Sequence, residues 1–196
     1  MLALSPSPAA ASVQLIDTQD PRRAEVEAFI GGVYAERYGA TLRTFAPMLV
    51  ARYDERGLVA AAGFRAAADG PLFLERYLDA PVEQLLSPTA LPRSGIVEVG
   101  HLVARQAGEG RRLILLLGPL LAAQGYRWVV STLTDELRLL FVRLGVAPLA
   151  LGVADPERLG DAAADWGSYY EHHPVVLAGS LEAALQALAR RQGASA

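Results

Sequence analysis

The chain has 196 residues, 52% of them hydrophobic, and a formal net charge of −3; its mean hydropathy is +0.24. That length suits one domain with a full core, and the acidic balance argues against general nucleic-acid binding. There is no Cys, and all 18 basic residues are Arg, which excludes disulfides, thiolate metal sites, a Cys nucleophile, a Schiff-base lysine and a P-loop lysine.

Residues 1–11 are rich in Ser, Pro and Ala and read as a disordered tail; residues 12–192 read as a single domain and 193–196 as a C-terminal tail. Met1–Ser12 has no basic leading region, so no signal peptide is expected. The longest apolar run, Leu113–Ala123, is shorter than the roughly 20 residues of a bilayer span. The expectation is a cytoplasmic protein without a membrane span. Ser12–Thr18 alternates as a strand does. Asp20 and Pro21 then read as cap and first residue of a helix to Tyr38, closed by Gly39. Met48–Tyr53 and Leu58–Arg65 form a hairpin around Asp54-Glu55-Arg56-Gly57. Leu72–Leu78 is ambiguous, and Pro81–Leu86 is a short helix. Gly95–Ala104 is the central strand, followed by a helix over Gly110–Gln124 that Pro119 bends. Next come a strand at Trp128–Leu133, a helix at Asp135–Leu144 and a strand at Val146–Val153. Asp155–Asp165 is a partly helical linker. Pro174–Leu177 is a last strand, and Ser180 caps a final helix to Arg191. Strand–helix–strand crossovers imply parallel pairing at the centre, and the hairpin implies antiparallel pairing at one edge. The fold expected is α/β: a mixed sheet flanked by helices on both faces.

The junction Arg105-Gln106-Ala107-Gly108-Glu109-Gly110 carries the most chemistry. A strand ends there and a helix begins, and glycines let main-chain N–H groups converge at the positive end of the helix dipole. Gly108, Glu109, Gly110 and Arg111 would cradle a phosphate through their amides, with Arg112 reaching a second one and Arg105 holding the loop. The plainer alternative is a tight turn beside two solvated arginines.

Arg105, Gly108 and Gly110 match Gln/Arg-x-x-Gly-x-Gly/Ala, the pyrophosphate signature of the GNAT acyltransferases, and the element order resembles that superfamily. Asp135–Val146 looks like its fourth helix. Five further strings, FIGGVYAERYGA (29–40), AAGFR (61–65), LFLERYLDAPVE (72–83), VEVGHLVA (97–104) and WGSYYEHHPVVLAG (166–179), are similar to the thermostable hemolysin family. The family is named for a lytic activity, whereas its fold looks GNAT-like, with some likeness to acyl-homoserine-lactone synthases. The resemblance implies a partly splayed sheet and N-acyl transfer to an amine from acyl-CoA or the acyl-phosphopantetheine of an acyl carrier protein. A pantetheine arm would then lie along Val99, Leu102 and Val103. Two positions depart from the patterns. Phe141 stands where many such enzymes place an acidic Tyr, and His101 stands where the hemolysin family implies Asn. The alternatives are a membrane-active lytic protein, releasing an apolar face such as Leu113–Leu121, or a non-catalytic carrier-binding module. No oligomeric state is implied.

Glu98 lies inside an apolar strand, where a carboxylate is costly unless paired or used. It is either a base for the attacking amine or half of a buried salt bridge to Arg65 or Arg105. Glu75, Tyr77, Asp79 and Glu83 form an acidic segment. The likeness to the lactone synthases implies that such residues hold the amine; otherwise they are an exposed loop. Trp166, Tyr169, Tyr170 and His172 form a dense aromatic cluster, either lining a pocket with His172 as acid or base, or packing as a core corner. Arg37 and Tyr38 follow the first helix, where fold analogy places an acceptor cover. The three histidines lack metal-ligand spacing, so no metal is expected.

Overall fold

The computed structural model describes residues 13–86 and 91–193. The expected N-terminal tail lies outside these residues, as does all of the expected C-terminal tail but Gly193. Seven strands and five α-helices follow one another as β1 (Val13–Ile16), α1 (Arg23–Tyr38), β2 (Met48–Asp54), β3 (Gly57–Ala66), α2 (Val82–Leu86), β4 (Ile96–Ala104), α3 (Glu109–Ala123), β5 (Trp128–Leu133), α4 (Asp135–Leu144), β6 (Leu149–Val153), β7 (Val175–Ser180) and α5 (Leu181–Gly193). The strands make one sheet in the order β1-β2-β3-β4-β5-β7-β6.

Strand alternation divides the core. Leu49 and Ala51 of β2 pack with Ile30 and Tyr34 of α1, whereas Val50 between them packs with Leu113 and Leu117 of α3. α1 therefore covers one face of the sheet, and α3 and α5 the other. Leu113, Leu117 and Leu121 recur at i, i+4 and i+8 and are buried. Burying each contributes about 1.5–3 kcal/mol. The face that a lytic reading would release is a core face here.

Several boundaries differ from the sequence reading, among them β6, which begins at Leu149 rather than Val146, and β7, which ends at Ser180 rather than Leu177. Asp20 accepts the Arg22 N–H at 2.9 Å, and its carboxyl is lowered to about 2, chiefly by the Arg22 side chain. This tight turn delays α1 to Arg23. The ambiguous stretch after Leu72 is a 3-10 turn over Phe73–Tyr77. The linker after Asp155 is a run of 3-10 turns over Pro156–His172, interrupted at Gly160 and Gly167, both at positive φ. The larger correction concerns pairing. β6 does not lie beside β5: β7 inserts antiparallel between them, so β4 and β5 are the only parallel neighbours among the described strands.

A buried ion pair joins the two ends of the site-bearing region. Arg52 of β2 donates to Glu109 in the first turn of α3, and both side chains are buried. Glu109 also accepts from Arg112 at 2.6 Å. Glu109 sits at the positive end of the α3 dipole, where a carboxylate is favoured.

The 3-10 segment docks on the end of α1 through Gly167. Its φ is 52°, and a Cβ there would lie 2.0 Å from the Tyr38 carbonyl oxygen. Gly167→Ala should therefore cost at least about 2 kcal/mol, read as a lowered urea midpoint with an unchanged m-value.

Candidate functional site

β4 and β5 pair only at Ile96↔Trp128, Val97↔Val129 and Glu98↔Val130. Beyond Glu98 they part. β5 stays with β7 along all of Trp128–Leu133, while β4 stays with β3. The β3–β4 ladder slips by one residue between Gly63↔Gly100 and Ala61↔Val103, so His101 and Leu102 oppose Ala62 alone. This bulge bends β4 away from β5. His101 takes φ 54° within it. Asn and His are among the side chains that tolerate this region, which accounts for His standing where the resemblance implies Asn. Gly63 makes room for the ring, since a Cβ there would lie 3.1 Å from His101 Nδ1.

Two cavities meet at the gap, and Tyr34, Val99, Gly100, His101, Thr132 and Tyr169 line both. The first, about 130 Å³, runs between α3, α4 and α5 and is walled mostly by apolar side chains, among them Leu117, Leu137, Phe141 and Leu185. The second, about 140 Å³, opens on the α1 side between Phe45, Phe73, Trp166 and Tyr77, and it holds Arg65 and Glu98.

The glycine loop follows the end of β4, whose residues Val99–Leu102 line the gap. Gly108 adopts φ 85° as the residue before α3. Residues 105–108 are exposed. The Glu109 N–H is spent on the Gln106 carbonyl at 3.2 Å, and Arg112 N–H bonds to the Gly108 carbonyl. Among the described residues no acceptor takes the N–H groups of Gly108, Gly110 or Arg111. Three main-chain donors are thus available at a helix N-terminus, with the exposed Arg111 and Arg112 beside them.

Glu98 takes neither of the salt bridges considered. Its two oxygens accept the N–H groups of Phe73 at 2.9 Å and Leu74 at 3.0 Å, so it anchors the 3-10 turn that walls the second cavity. Burial pushes its carboxyl above the usual range, although these amides and the nearby Arg65 pull the other way. His101 is lowered to about 4 by burial and is neutral at physiological pH. Its Nδ1 is buried without a hydrogen-bond partner.

Other expected site residues lie elsewhere. Val103 packs in the core under α1 and does not reach the gap; Leu102 and Val99 line the apolar cavity. Arg105 lies over the Phe29 ring at 5.3 Å and pins the loop to α1. The Glu109 side chain turns inward to Arg52 and not toward a phosphate. Arg37 pairs with Glu136 and covers the Tyr38 ring, and Tyr38 lines the apolar cavity. Glu75 is outside both cavities. Burial would raise its carboxyl, but Arg93 and the Leu72 and Val82 amides outweigh that and hold it low. Glu83 pairs with the same Arg93, and Asp79 with Arg158. The acidic segment is therefore already neutralised. Trp166, Tyr169 and Tyr77 line the second cavity, with Tyr170 behind, its hydroxyl 2.7 Å from that of Tyr77. The His172 ring centroid lies 5.1 Å from that of Tyr38, and His172 lines neither cavity. Among the described residues no cluster of His, Asp and Glu could hold a metal ion.

One residue escaped the sequence reading. Tyr34 appears there only within the string FIGGVYAERYGA. In the fold it lines both cavities, its phenol is held protonated by burial, and its hydroxyl bonds to no described residue. A polar-tipped aromatic on an otherwise aliphatic helix face was the available signal.

Among known proteins, a family model described as thermostable hemolysin matches residues 16–185. No curated protein matches the sequence. Solved structures share its fold. TofI in an apo form aligns with TM-score 0.64 at 18% identity, over 90% of this chain and 95% of that one. BjaI, a CoA-dependent acyl-homoserine lactone synthase solved with SAM and isopentyl-CoA, aligns with TM-score 0.60 at 12% identity, over 94% and 90%. A putative N-acetyltransferase from Lactobacillus plantarum aligns with TM-score 0.54 at 13% identity, over 87% and 99%. The fold is GNAT-like, and among the described residues no helix is long and apolar enough to cross a membrane.

His101 is neutral when folded and would charge on unfolding, so its contribution to stability is full above about pH 6.5 and is lost as pH falls toward 4. The loss is on the order of 3 kcal/mol. His101→Asn, which keeps a side chain suited to positive φ, should flatten this part of the stability–pH curve in urea titrations.

Proposed function

The chain belongs to the thermostable hemolysin family, and we propose that it acts as an acyltransferase, moving an acyl group from a thioester carrier to an amine. One observation carries this reading. An apolar cavity and a polar one meet at the parting of β4 and β5, and β4 runs on from there to a helix N-terminus with unspent amides. The thioester donor's phosphates rest on the Gly108, Gly110 and Arg111 amides, aided by Arg111 and Arg112 side chains. Its arm follows Val99 and Leu102 into the gap, and its acyl chain enters the apolar cavity. Acyl-CoA and an acyl carrier protein's acyl-phosphopantetheine share this chemistry.

The amine enters from the polar cavity. Its nitrogen bonds to the thioester carbonyl carbon, the carbon–sulfur bond breaks, and one proton leaves the nitrogen while one joins the sulfur. Glu98 is the group placed to take the first proton, directly or through a water, and its raised carboxyl suits it to that exchange. Those main-chain N–H groups of Val99–Leu102 that face away from β3, where β5 departs, would hydrogen-bond the developing oxyanion. Phe141 has no proton to give. Tyr34, protonated and facing both cavities, is the donor placed to meet the departing sulfur. Positioning supplies much of the rate.

Binding can be checked by thermal denaturation with CoA, long-chain acyl-CoA and holo acyl carrier protein. A cognate carrier at 100 times its dissociation constant should stabilise the fold by about 2.7 kcal/mol, a rise of roughly 5–10 °C. No rise with any of the three at saturating concentration removes the acyltransfer reading. In turnover assays, Glu98→Gln should lower kcat about 100-fold. The wild-type rate should fall with acid through an inflection above the ordinary carboxylate value, because the base must be unprotonated. Tyr34→Phe should lower kcat by about 10-fold or more with little change in KM; an unchanged kcat would exclude Tyr34 as the donor to sulfur.

A further inference from the structure

The polar cavity is not lined as a pocket for a simple cationic amine would be. The acidic residues that might attract such a ligand are consumed: Glu75 and Glu83 by Arg93, Asp79 by Arg158. Among the described residues, Glu98 is the one carboxyl group and Arg65 the one guanidinium that line the cavity. Glu98 already accepts two main-chain N–H bonds. Arg65 stands directly across the β3–β4 ladder from it, half-buried, and makes no hydrogen bond or ion pair to any described residue. A guanidinium with five unspent donors, partly withdrawn from water, is costly unless something completes it. Its planar fork matches a carboxylate. Cross-strand neighbours stand about 5 Å apart at Cβ, which suits an amine and a carboxylate borne on one short carbon skeleton. Phe45, Phe73 and Trp166 close the remaining wall with apolar surface.

We propose that the acceptor is of the amino-acid class, an amine that also carries a carboxylate, with Arg65 binding the carboxylate, the amine beside Glu98 and an apolar side chain against the aromatic wall. The inference rests on the acyltransfer reading and gives its acceptor. A monoamine would leave Arg65 desolvated and unpaired, so Arg65 selects against it. The product is an N-acyl amino acid.

Product analogues test the site without requiring turnover. N-decanoyl-leucine and its decarboxylated counterpart, N-decanoyl-3-methylbutylamine, differ only in the carboxylate. The first should raise the melting temperature of the wild-type chain and bind at least about 100-fold more tightly by calorimetry. Arg65→Met should abolish that preference while leaving CoA binding intact, which also reports that the variant folds. Arg65→Lys should restore part of it. Equal binding of the two analogues to wild type, or a preference that survives Arg65→Met, overturns the proposal. In turnover with amino acids and their decarboxylated amines, Arg65→Met should raise KM for the amino acids alone. An equal loss with both acceptors would make Arg65 merely a counter-ion to Glu98. If CoA and holo carrier protein fail to bind yet the analogues still discriminate, the donor reading fails and the carboxylate site stands.

Discussion

β5 is committed on one edge over all six of its residues to β7 and on the other to β4 for only three. Everything chemical in this fold follows from that unequal claim. A strand held straight on one side cannot follow a neighbour that bulges and bends on the other. The gap therefore opens at Glu98–Val99, in the middle of the sheet, where main-chain groups lose their ladder partners. Elsewhere such a gap would be a defect, because unpaired main-chain groups in a core are expensive. Here the gap is flanked by an apolar cavity and a polar cavity, and β4 runs on from it to a helix N-terminus; each offers something to a ligand that fills it.

The glycine loop is held from beneath. Arg52 and Glu109 tie β2 to the first turn of α3, and Arg105 reaches back over Phe29 to α1. These contacts use charged side chains to set the position of uncharged donors. The amides of Gly108, Gly110 and Arg111 are left without an acceptor among the described residues, while Glu109 is paired with Arg52 and Arg112. A buried ion pair of this kind adds little net stability and is costly to break on one side.

Much of this was legible in the sequence because it rests on local signals. The glycine spacing, the strand before it and the helix after it placed the loop, and the chain matches the family its motifs suggested. The turn at Asp54–Gly57 placed β2 and β3, and an apolar run placed β4. What failed depended on partners far away in sequence. The acidic density at Glu75, Asp79 and Glu83 looked like a ligand site because nothing nearby in the chain shows that Arg93 and Arg158 return to neutralise it. Glu98 was also read as half of a salt bridge to Arg65 or Arg105, which it does not make. Its two bonds to the Phe73 and Leu74 amides come from a turn 24 residues upstream that periodicity left unassigned. The insertion of β7 between β5 and β6 could not be read from element order, since that order is the same for either neighbour. Tyr34 was hidden by its own apolar helix face.

The backbone at residue 101 carries a consequence for descent. A strand residue at φ 54° is selected first by conformation and only then by side-chain chemistry. Drift at this position is confined to Gly, Asn, Asp and His, while Val, Ile and Thr are excluded by their branched Cβ even though they suit strands elsewhere. A relative with Asn there would keep the bend, and the imidazole is free to vanish over generations so long as the kink it rides on does not.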